Sequence, residues 1–258
     1  MISCRRVGVI IGHELRLIRR DPLPVLVLVV FPLVVMAFLK PAFRPALAAA
    51  GHVRANGAEQ VVPGQATVDG FFIVGLTALA FFSEFGAATW DRLRASPASS
   101  LEIVVGKGVP RFLMSVTQFV VVFAIGIPLF ALHVRGPVTA LVPVVVAFAV
   151  CLVLLGVAAT ALCRTVQQAN AFATVGLVVF GAVGGALVPF NVLPGWAQSV
   201  APVTPTYWAM RGFRSVILDG RSLGGVVLPV VVLLGMGALC GLVALARFRF
   251  DDAKLSWT

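Results

Sequence analysis

The chain has 258 residues, of which 60% are hydrophobic and 12% are charged, and its mean hydropathy is +1.03. Globular soluble proteins carry about twice that share of charged residues, so the composition excludes an ordinary soluble protein and predicts an all-α integral membrane protein. The net charge of +10 does not indicate nucleic-acid binding, because the basic residues follow the ends of the apolar runs. The four cysteines are too scattered for a metal-ligand pattern, so we expect no metal site.

The first predicted element is an amphipathic helix within residues 1–22. Apolar residues recur at helical spacing along one face and basic residues occupy another, which is typical of a helix at the cytoplasmic membrane interface. A simple positive-inside anchor explains the arginines as well. A secretory signal peptide is a further alternative, but Lys40 and Arg44 separate the apolar run from the small residues that follow, so we expect the first span to be retained. The apolar positions are Val7, Ile11, Leu15 and Ile18.

Six apolar runs follow, each close to the ~20 residues that a helix needs to cross a bilayer. With the N-terminus inside, the cytoplasmic segments hold more of the 20 Lys and Arg residues than the outer ones, which favours cytoplasmic termini. The longest loop, Lys40 to Asp69, is then outside, where we expect a cap or an ordered loop. We predict a single transmembrane domain, 1–258, with spans near residues 23–39, 70–88, 112–132, 138–162, 171–190 and 224–246.

The loop after the second predicted span, residues 89–102, is unusually charged and carries two helix-start signals. Ser96-Pro97 fits an N-cap followed by a first-turn proline, and Ser99 with Glu102 three residues later fits a capping box. These signals predict a short helix with an apolar ridge beside basic side chains, which suits docking of a soluble partner. A solvated connector accounts for the same residues.

The stretch SEFGAATWDRLRASPAS, residues 83–99, resembles the cytoplasmic loop of the membrane subunits of type-two ATP-binding-cassette (ABC) transporters, which typically read E-R-E-x-G-T-x-x-R-L-R-A-S-P. Phe85, Gly86 and Ala88 depart from that pattern, so the part before Thr89 is less charged than in the family. The resemblance implies a coupling helix that fits a groove in a separate ATPase subunit. The matching positions are Glu84, Thr89, Arg92, Leu93, Arg94, Ala95, Ser96 and Pro97.

A second stretch, NVLPGWAQSVAPVTPTYWAMRGFRSVILDG, residues 191–220, is similar to the outer segment that precedes the last span in the same family. RRDPLPVLVLVVFPLV, residues 19–34, adds a weaker match at the first span. The resemblance implies short outer re-entrant helices that close the outer mouth of the pathway at rest. The residues that carry the likeness are Pro194, Trp196, Pro202, Pro205, Tyr207, Arg211 and Arg214.

The sequence lacks the chemistry of an ATPase. The only Gly-Lys pair, Gly106-Lys107, is followed by Gly108 rather than by the Ser or Thr of a phosphate-binding loop. We therefore expect ATP and magnesium in a partner subunit, with no cofactor and no catalytic residue in this chain. The sequence GRSLG, residues 220–224, fits the serine hydrolase form G-x-S-x-G, but it lies at a predicted membrane boundary rather than on a strand-to-helix turn.

Few polar residues fall inside the predicted spans. Thr77, Ser115 and Gln118 are candidate residues of a substrate path, and hydrogen bonding between helices explains them equally. An ion-gradient-driven secondary carrier is the alternative to an ATP-driven permease, and it requires an ionisable group at mid-membrane depth. Only Glu84 comes close to that depth in the predicted topology, near the cytoplasmic end of the second span.

These features together predict a permease subunit of an ATP-driven exporter in a bacterial cell membrane, which moves a hydrophobic drug-like or lipid-like substrate outward by alternating access. The resemblance implies two copies of a nucleotide-binding ATPase subunit as partners, and a homodimer or a heterodimer with a second permease. Membrane lipids are the remaining expected partner, and nucleic acid is not expected.

Overall fold

A computed structural model describes residues 4–20, 23–49, 51–86 and 99–247. Within these ranges the chain is helical and contains no strand. Short 3-10 turns precede or follow several helices in the second half of the chain. The α-helices are α1 Cys4–Arg20, α2 Leu23–Ala49, α3 Ala58–Gly70, α4 Phe72–Gly86, α5 Ser100–Phe130, α6 Leu141–Leu162, α7 Val166–Val183, α8 Gly195–Val200, α9 Pro205–Ile217 and α10 Val227–Arg247.

Six helical segments of the described chain are long and apolar enough to cross a membrane, which confirms the predicted number of spans. The fourth and sixth predicted spans, 138–162 and 224–246, agree closely with the structure. The first, second, third and fifth differ in their bounds. The observed segments are Val29–Ala49, Ala58–Ser83, Leu101–Phe130, Val138–Leu162, Val166–Val183 and Leu223–Arg247.

The outer loop predicted from Lys40 to Asp69 is wrong. Helix α2 continues to Ala49, and α3 and α4 follow one another with only Phe71 between them. The second span is therefore Ala58–Ser83 rather than 70–88. Hydropathy missed α3 because every residue of this helix is buried inside the protein, so it needs no continuous apolar surface toward lipid.

The turn between α2 and α3 is held by a polar cap and a glycine. The Asn56 amide donates to the Glu59 carboxylate, and the Ala58 amide donates to the Asn56 side chain, which satisfies backbone groups at the start of α3. Gly57 has a φ of 97°, in the left-handed region, and a Cβ there would collide with the carbonyl oxygen of Lys40. Only glycine lets the chain turn this closely against α2.

The predicted capping box at Ser99 is confirmed. The Glu102 amide donates to Ser99 Oγ at 3.3 Å, and the Ser99 amide donates to Glu102 Oε2 at 2.7 Å. The helix that starts there is not short, however, because it continues for 31 residues to Phe130 and includes most of the third predicted span, 112–132. At 1.5 Å per residue α5 is about 46 Å long, enough to run from one end of the bundle to the other.

The fifth span starts and ends earlier than the predicted 171–190. The side chain of Thr165 caps α7 by accepting from the Gln168 amide, and this cap places the helix start at Val166. At its other end, Gly185 has a φ of 83° and turns the chain out of the helix. Residues 184–189 therefore form a turn rather than the end of a span.

The hydrophobic core lies around α3, α5, α6 and α9. Phe119 of α5 is 5.9 Å from Phe148 of α6 and 6.1 Å from Phe213 of α9, measured between ring centroids. Phe71, between α3 and α4, approaches Phe148 at 6.4 Å. These rings pack edge to face or tilted, the arrangements that aromatic pairs prefer. These four rings belong to the largest cluster of buried hydrophobic residues, which joins non-consecutive helices.

Candidate functional site

The predicted coupling residues between the second and third spans fall mainly outside the described part of the chain. Glu84 belongs to α4, close to the end of that helix at Gly86, and the description of the chain resumes at Ser99. The structure therefore describes both flanks of residues 87–98, here called segment 87–98, which hold all of the predicted coupling residues except Glu84. The residues outside the described ranges are Thr89, Arg92, Leu93, Arg94, Ala95, Ser96 and Pro97.

Helix α1 packs along the first half of α5. A glycine of α5 and charged residues of both helices allow this contact. A Cβ at Gly106 would lie 2.6 Å from Ile10 Cγ2, so the two helices approach this closely only because residue 106 is glycine. One turn earlier, Arg6 of α1 pairs with the buried Glu102 at 3.6 Å. We call this contact between α1 and α5 the junction, and its end of the bundle the junction end.

A buried carboxylate lies at the centre of the junction. Lys107 Nζ donates to Glu14 Oε1 at 2.8 Å, and Arg111 Nη2 donates to Glu14 Oε2 at 3.0 Å. Both side chains of the Glu14–Lys107 pair are only 2% exposed. Each carboxylate oxygen of Glu14 thus has its own cation, which is the condition under which a buried ion pair compensates for its lost hydration.

The same two cations also bind α4. Lys107 Nζ donates to the carbonyl oxygen of Ala80 at 2.8 Å, and Arg111 Nε donates to that of Leu76 at 3.3 Å. Three helices, α1, α4 and α5, are therefore joined by one cluster of polar contacts. This cluster lies within two to three turns of both ends of segment 87–98.

Both cations, Lys107 and Arg111, precede the third predicted span, 112–132, but they lie inside α5 and are buried or nearly so. The predicted elements gave no role to Glu14. A signal for Glu14 exists, because this residue is seven positions after Val7 and four before Ile18, on the apolar face of α1. An acidic residue on that face requires a buried partner.

The predicted outer segment forms two short helices, α8 and α9, at the end of the bundle opposite the junction. The Arg135 amide, a few residues after the end of α5, donates to the carbonyl oxygen of Ile217, the last residue of α9. The 13 residues of α9 reach only about 20 Å, too little to cross a bilayer. We call this end of the bundle the far end.

Proline and threonine set the bounds of these helices. Pro194 precedes α8, and Pro205 is the first residue of α9, a position where its missing amide hydrogen costs nothing. The Thr204 side chain caps α9 by accepting from the Tyr207 amide at 3.3 Å. Pro202 lies in the 3-10 turn Ala201–Val203 that joins the two helices.

Most of the predicted outer residues lie near one another. The Tyr207 ring contacts Phe190 in a tilted arrangement and Trp208 edge to face, with 5.2 Å between ring centroids in each pair. Trp208 also donates from Nε1 to the carbonyl oxygen of Pro202 at 2.8 Å, and its ring lies 5.3 Å from the guanidinium carbon of Arg211. Arg214 lies one turn beyond on α9. Trp196 is the exception, because its side chain on α8 is 68% exposed.

The three candidate residues of a substrate path are buried between helices. Gln118 Nε2 donates to the carbonyl oxygen of Ala66, a bond that joins α5 to α3. A Cβ at Gly156 would lie 2.7 Å from Cβ of Thr77, so Thr77 fills the contact between α4 and α6. Gln118 also lines an apolar cavity of about 210 Å³ between α1, α2 and α5. Ser115 is fully buried.

One ionisable group at mid-span depth was missed. Asp69 lies near the middle of the span Ala58–Ser83, and it is 1% exposed. Gln65, one turn earlier, donates from Nε2 to Asp69 Oδ2 at 2.8 Å. The expectation that only Glu84 approaches mid-membrane depth is therefore wrong, because residues before Gly70 were assigned to an outer loop.

Comparison with known proteins agrees with this architecture. Residues 5–218 match the family model of the ABC-2 type transporter. The "Probable multidrug ABC transporter permease YbhR" of Escherichia coli (strain K12) is 29% identical over 183 residues, which cover 71% of this chain and 49% of that protein. The "Linearmycin resistance permease protein LnrN" of Bacillus subtilis (strain 168) is 28% identical over 160 residues, 62% of this chain and 41% of that protein.

The chain thus spans about half the length of the curated relatives that it matches. The family match covers most of the chain, from α1 to the end of α9, and so includes both the junction and the outer segment. With its six apolar helices, this chain belongs to the ABC-2 type transporter family.

Proposed function

We propose that this chain is the permease subunit of an ATP-driven exporter, which moves a hydrophobic drug-like or lipid-like substrate out of the cytoplasm or the inner leaflet. The observation that carries the proposal is the match to the ABC-2 type transporter family over residues 5–218. The names of the two relatives, a probable multidrug permease and a linearmycin resistance permease, support a substrate of this kind. ATP and magnesium bind in a partner subunit, since this sequence holds no phosphate-binding loop.

Segment 87–98 is the surface through which the ATPase subunit acts on the permease. Its arginines, Arg92 and Arg94, pair with acidic groups of the partner, and Leu93 packs against it. Glu84 and Thr89 to Pro97 form the coupling element. Support for this role comes from the sequence likeness of the segment and from the polar cluster that joins the helices on both sides of it.

The Glu14 cluster makes the junction end move as one body. Because Lys107 and Arg111 bind both Glu14 of α1 and carbonyl groups of α4, a displacement of segment 87–98 carries α1, α4 and α5 together. Helix α5 transmits this displacement along its length to Phe130. There the carbonyl oxygen of Phe130 accepts from Lys40 Nζ at 2.7 Å, so α2 follows α5.

The outer segment closes the far end of the pathway at rest. Its aromatic row of Phe190, Tyr207 and Trp208 and its anchored prolines make a rigid cover rather than a mobile loop. Movement of α5 relative to α9 opens this cover. When the helices separate, the substrate path is lined by Thr77, Ser115 and Gln118. Outward release of substrate then follows closure of the ATPase partner.

The working assembly contains two ATPase subunits and two permease chains, as a homodimer or a heterodimer, in a bacterial cell membrane with both termini in the cytoplasm. The bacterial origin of the relatives supports this location. Interfacial placement of α1 fits its many arginines, which favour anionic head groups on the cytoplasmic side.

The proposal is tested by purifying the tagged chain from native membranes in mild detergent. We expect a stoichiometric ATPase subunit to accompany it, and the complex to hydrolyse ATP. Reversal of two charges, Arg92→Glu with Arg94→Glu, should remove the ATPase without reducing membrane insertion. The matched control is Arg44→Glu with Arg54→Glu, the same charge change in the α2–α3 region at the far end.

Two outcomes contradict the proposal. A chain that purifies alone from native membranes has no ATPase partner. A charge-reversed variant at Arg92 and Arg94 that retains the ATPase at wild-type yield excludes those arginines from the coupling contact, and a solvated connector then describes the segment better.

A second candidate function, an ion-gradient-driven secondary carrier, is favoured by Asp69. A buried carboxylate at mid-span is costly and is commonly a binding site for protons or cations. Reconstitution in liposomes separates the two functions. Transport on an imposed ion gradient without ATP supports the carrier, whereas transport that requires the ATPase subunit and ATP supports the exporter.

A further inference from the structure

A cavity of about 400 Å³ lies at the far end, between the end of α7, helix α9 and the start of α10. Its size is within the range of small-ligand sites. One wall carries three arginines, Arg211, Arg214 and Arg221, with a single carboxylate, Asp219. The excess of cations over anions indicates a site for an anionic group.

No carboxylate lies within ion-pair distance of these three arginines among the described residues. None of the ion pairs within the described residues involves Arg211, Arg214 or Arg221. Burial lowers the pKa of Arg214, and the negative charge of the nearby Asp219 offsets only part of this shift. A half-buried guanidinium with no carboxylate in contact gains more from a bound anion than a solvated guanidinium does.

Backbone hydrogen bonds and one close contact fix the chain segment that carries Arg214 and Arg221. The Leu218 amide donates to the carbonyl oxygen of Arg214 at 2.9 Å, and the Arg221 amide donates to that of Ser215 at 2.8 Å, so the loop after α9 folds back onto the helix. A Cβ at Gly225 would lie 2.6 Å from Cβ of Arg221, so the stem of Arg221 packs directly on the glycine. The fold therefore fixes the backbone positions of Arg214 and Arg221 beside the cavity.

The cavity lining also contains apolar residues and reaches the surface of α10. The apolar residues are Phe190, Met210, Leu228 and Pro229. Leu228 is 52% exposed and begins an exposed apolar face of α10 that continues through Val231. A ligand with an anionic head and a hydrocarbon chain can thus place its head among the arginines and its chain along α10.

We propose that this cavity binds the phosphate group of an anionic phospholipid through Arg211, Arg214 and Arg221, with the acyl chains lying against α10. Arginine suits this ligand because its planar donors match phosphate oxygens. The exposed apolar face of α10 favours a lipid over free phosphate as the source of the anion. The inference does not rest on ATP-driven export, since the site is present in a carrier as well.

The test uses the full chain purified in a neutral detergent, with phosphatidylglycerol as the probe and native mass spectrometry as the measurement of binding. Phosphatidylcholine measures binding without net lipid charge, and inorganic phosphate is added as a competitor. We expect phosphatidylglycerol to bind more tightly than phosphatidylcholine, and phosphate at millimolar concentration to leave this binding unchanged.

The informative variant is Arg211→Gln with Arg221→Gln, because both side chains are exposed and the fold tolerates their loss. We expect its affinity for phosphatidylglycerol to fall at least about tenfold, since each charge-assisted contact to phosphate contributes strongly. The charge-matched control, Arg44→Gln with Arg54→Gln, removes two arginines outside the cavity and should change the affinity less than about twofold.

A second variant should change the affinity for phosphatidylglycerol in the opposite direction. Asp219→Asn removes the carboxylate that competes with the ligand for the arginines, so it should tighten phosphatidylglycerol binding. Unchanged affinity in the variant at Arg211 and Arg221, or weaker binding in Asp219→Asn, overturns the proposal. Displacement of phosphatidylglycerol by inorganic phosphate would disprove that a lipid supplies the bound phosphate group. Free phosphate would then be the ligand of the cavity.

Discussion

Glu14 and Lys107 form an ion pair of 2.8 Å between side chains that are each 2% exposed, although 93 positions separate them in the chain. Arg111 occupies the second oxygen of the same carboxylate. Water cannot replace either contact at this depth, so the pair fixes α1 against α5 in one orientation. The energetic consequences differ between the three members of the cluster.

Removing the carboxylate should be the most damaging change at the junction. Glu14→Leu leaves two cations without their anion, and we expect the free energy of unfolding to fall by about 3–5 kcal/mol. Lys107→Met should cost less, because Arg111 still pairs with Glu14. Chemical unfolding in detergent micelles measures both effects. His13→Ala, on the exposed side of α1, is the control, and equal stability of Glu14→Leu and His13→Ala would disprove the structural role of the cluster.

The close approach of α1 to α5 depends on the absence of a side chain at residue 106. Gly106→Ala should destabilise the protein by about 1–3 kcal/mol, because its Cβ would overlap Ile10. Combining it with Ile10→Ala should restore part of the loss, which a double-mutant cycle measures.

Gly108→Ala is the matched control for the close approach of α1 to α5. A Cβ there meets Val153 at the ordinary contact distance of 3.4 Å, and alanine is the better helix former. We expect this substitution to be neutral or stabilising. If Gly106→Ala and Gly108→Ala have the same effect on stability, steric overlap at the junction is not the cause.

Substitution of Asp69 distinguishes the ATP-driven exporter from the ion-gradient-driven carrier. Asp69→Asn keeps the size of the side chain and an acceptor for Gln65, so we expect no loss of stability and at least half of the wild-type ATP-dependent transport. An ion-gradient-driven carrier should lose transport in the same variant. The measurements are the thermal midpoint in detergent and substrate uptake into proteoliposomes, with ATP or with an ion gradient as the only energy source.

The permease should leak when Trp208, which anchors the outer segment, is removed. Trp208→Ala removes the hydrogen bond to Pro202 and the ring beside Arg211, so we expect a higher passive flux through the reconstituted permease without ATP. Dye efflux from liposomes measures this flux. The control is Val203→Ala, an exposed residue of the adjoining turn. An unchanged flux in Trp208→Ala would show that the segment does not close the pathway.

Features that depend on local pattern were predictable from the amino-acid sequence. Apolar runs of bilayer length predicted six spans, and Ser99 with Glu102 predicted the start of α5, because a capping box needs only residues three apart. The amphipathic spacing from Val7 to Ile18 predicted α1. The likeness of two segments to type-two ABC transporters predicted the family that the full comparison shows.

Features that depend on burial were not predictable from local pattern and became visible only in the folded chain. Helix α3 has weak hydropathy, and it is nevertheless within a span because other helices enclose it on every side. Lys107 has the sequence signature of a boundary charge, and it is buried because Glu14 reaches it across 93 positions. Hydropathy measures the preference of a residue for lipid or water, whereas a residue surrounded by protein is placed by its partners, and those partners are distant in the chain.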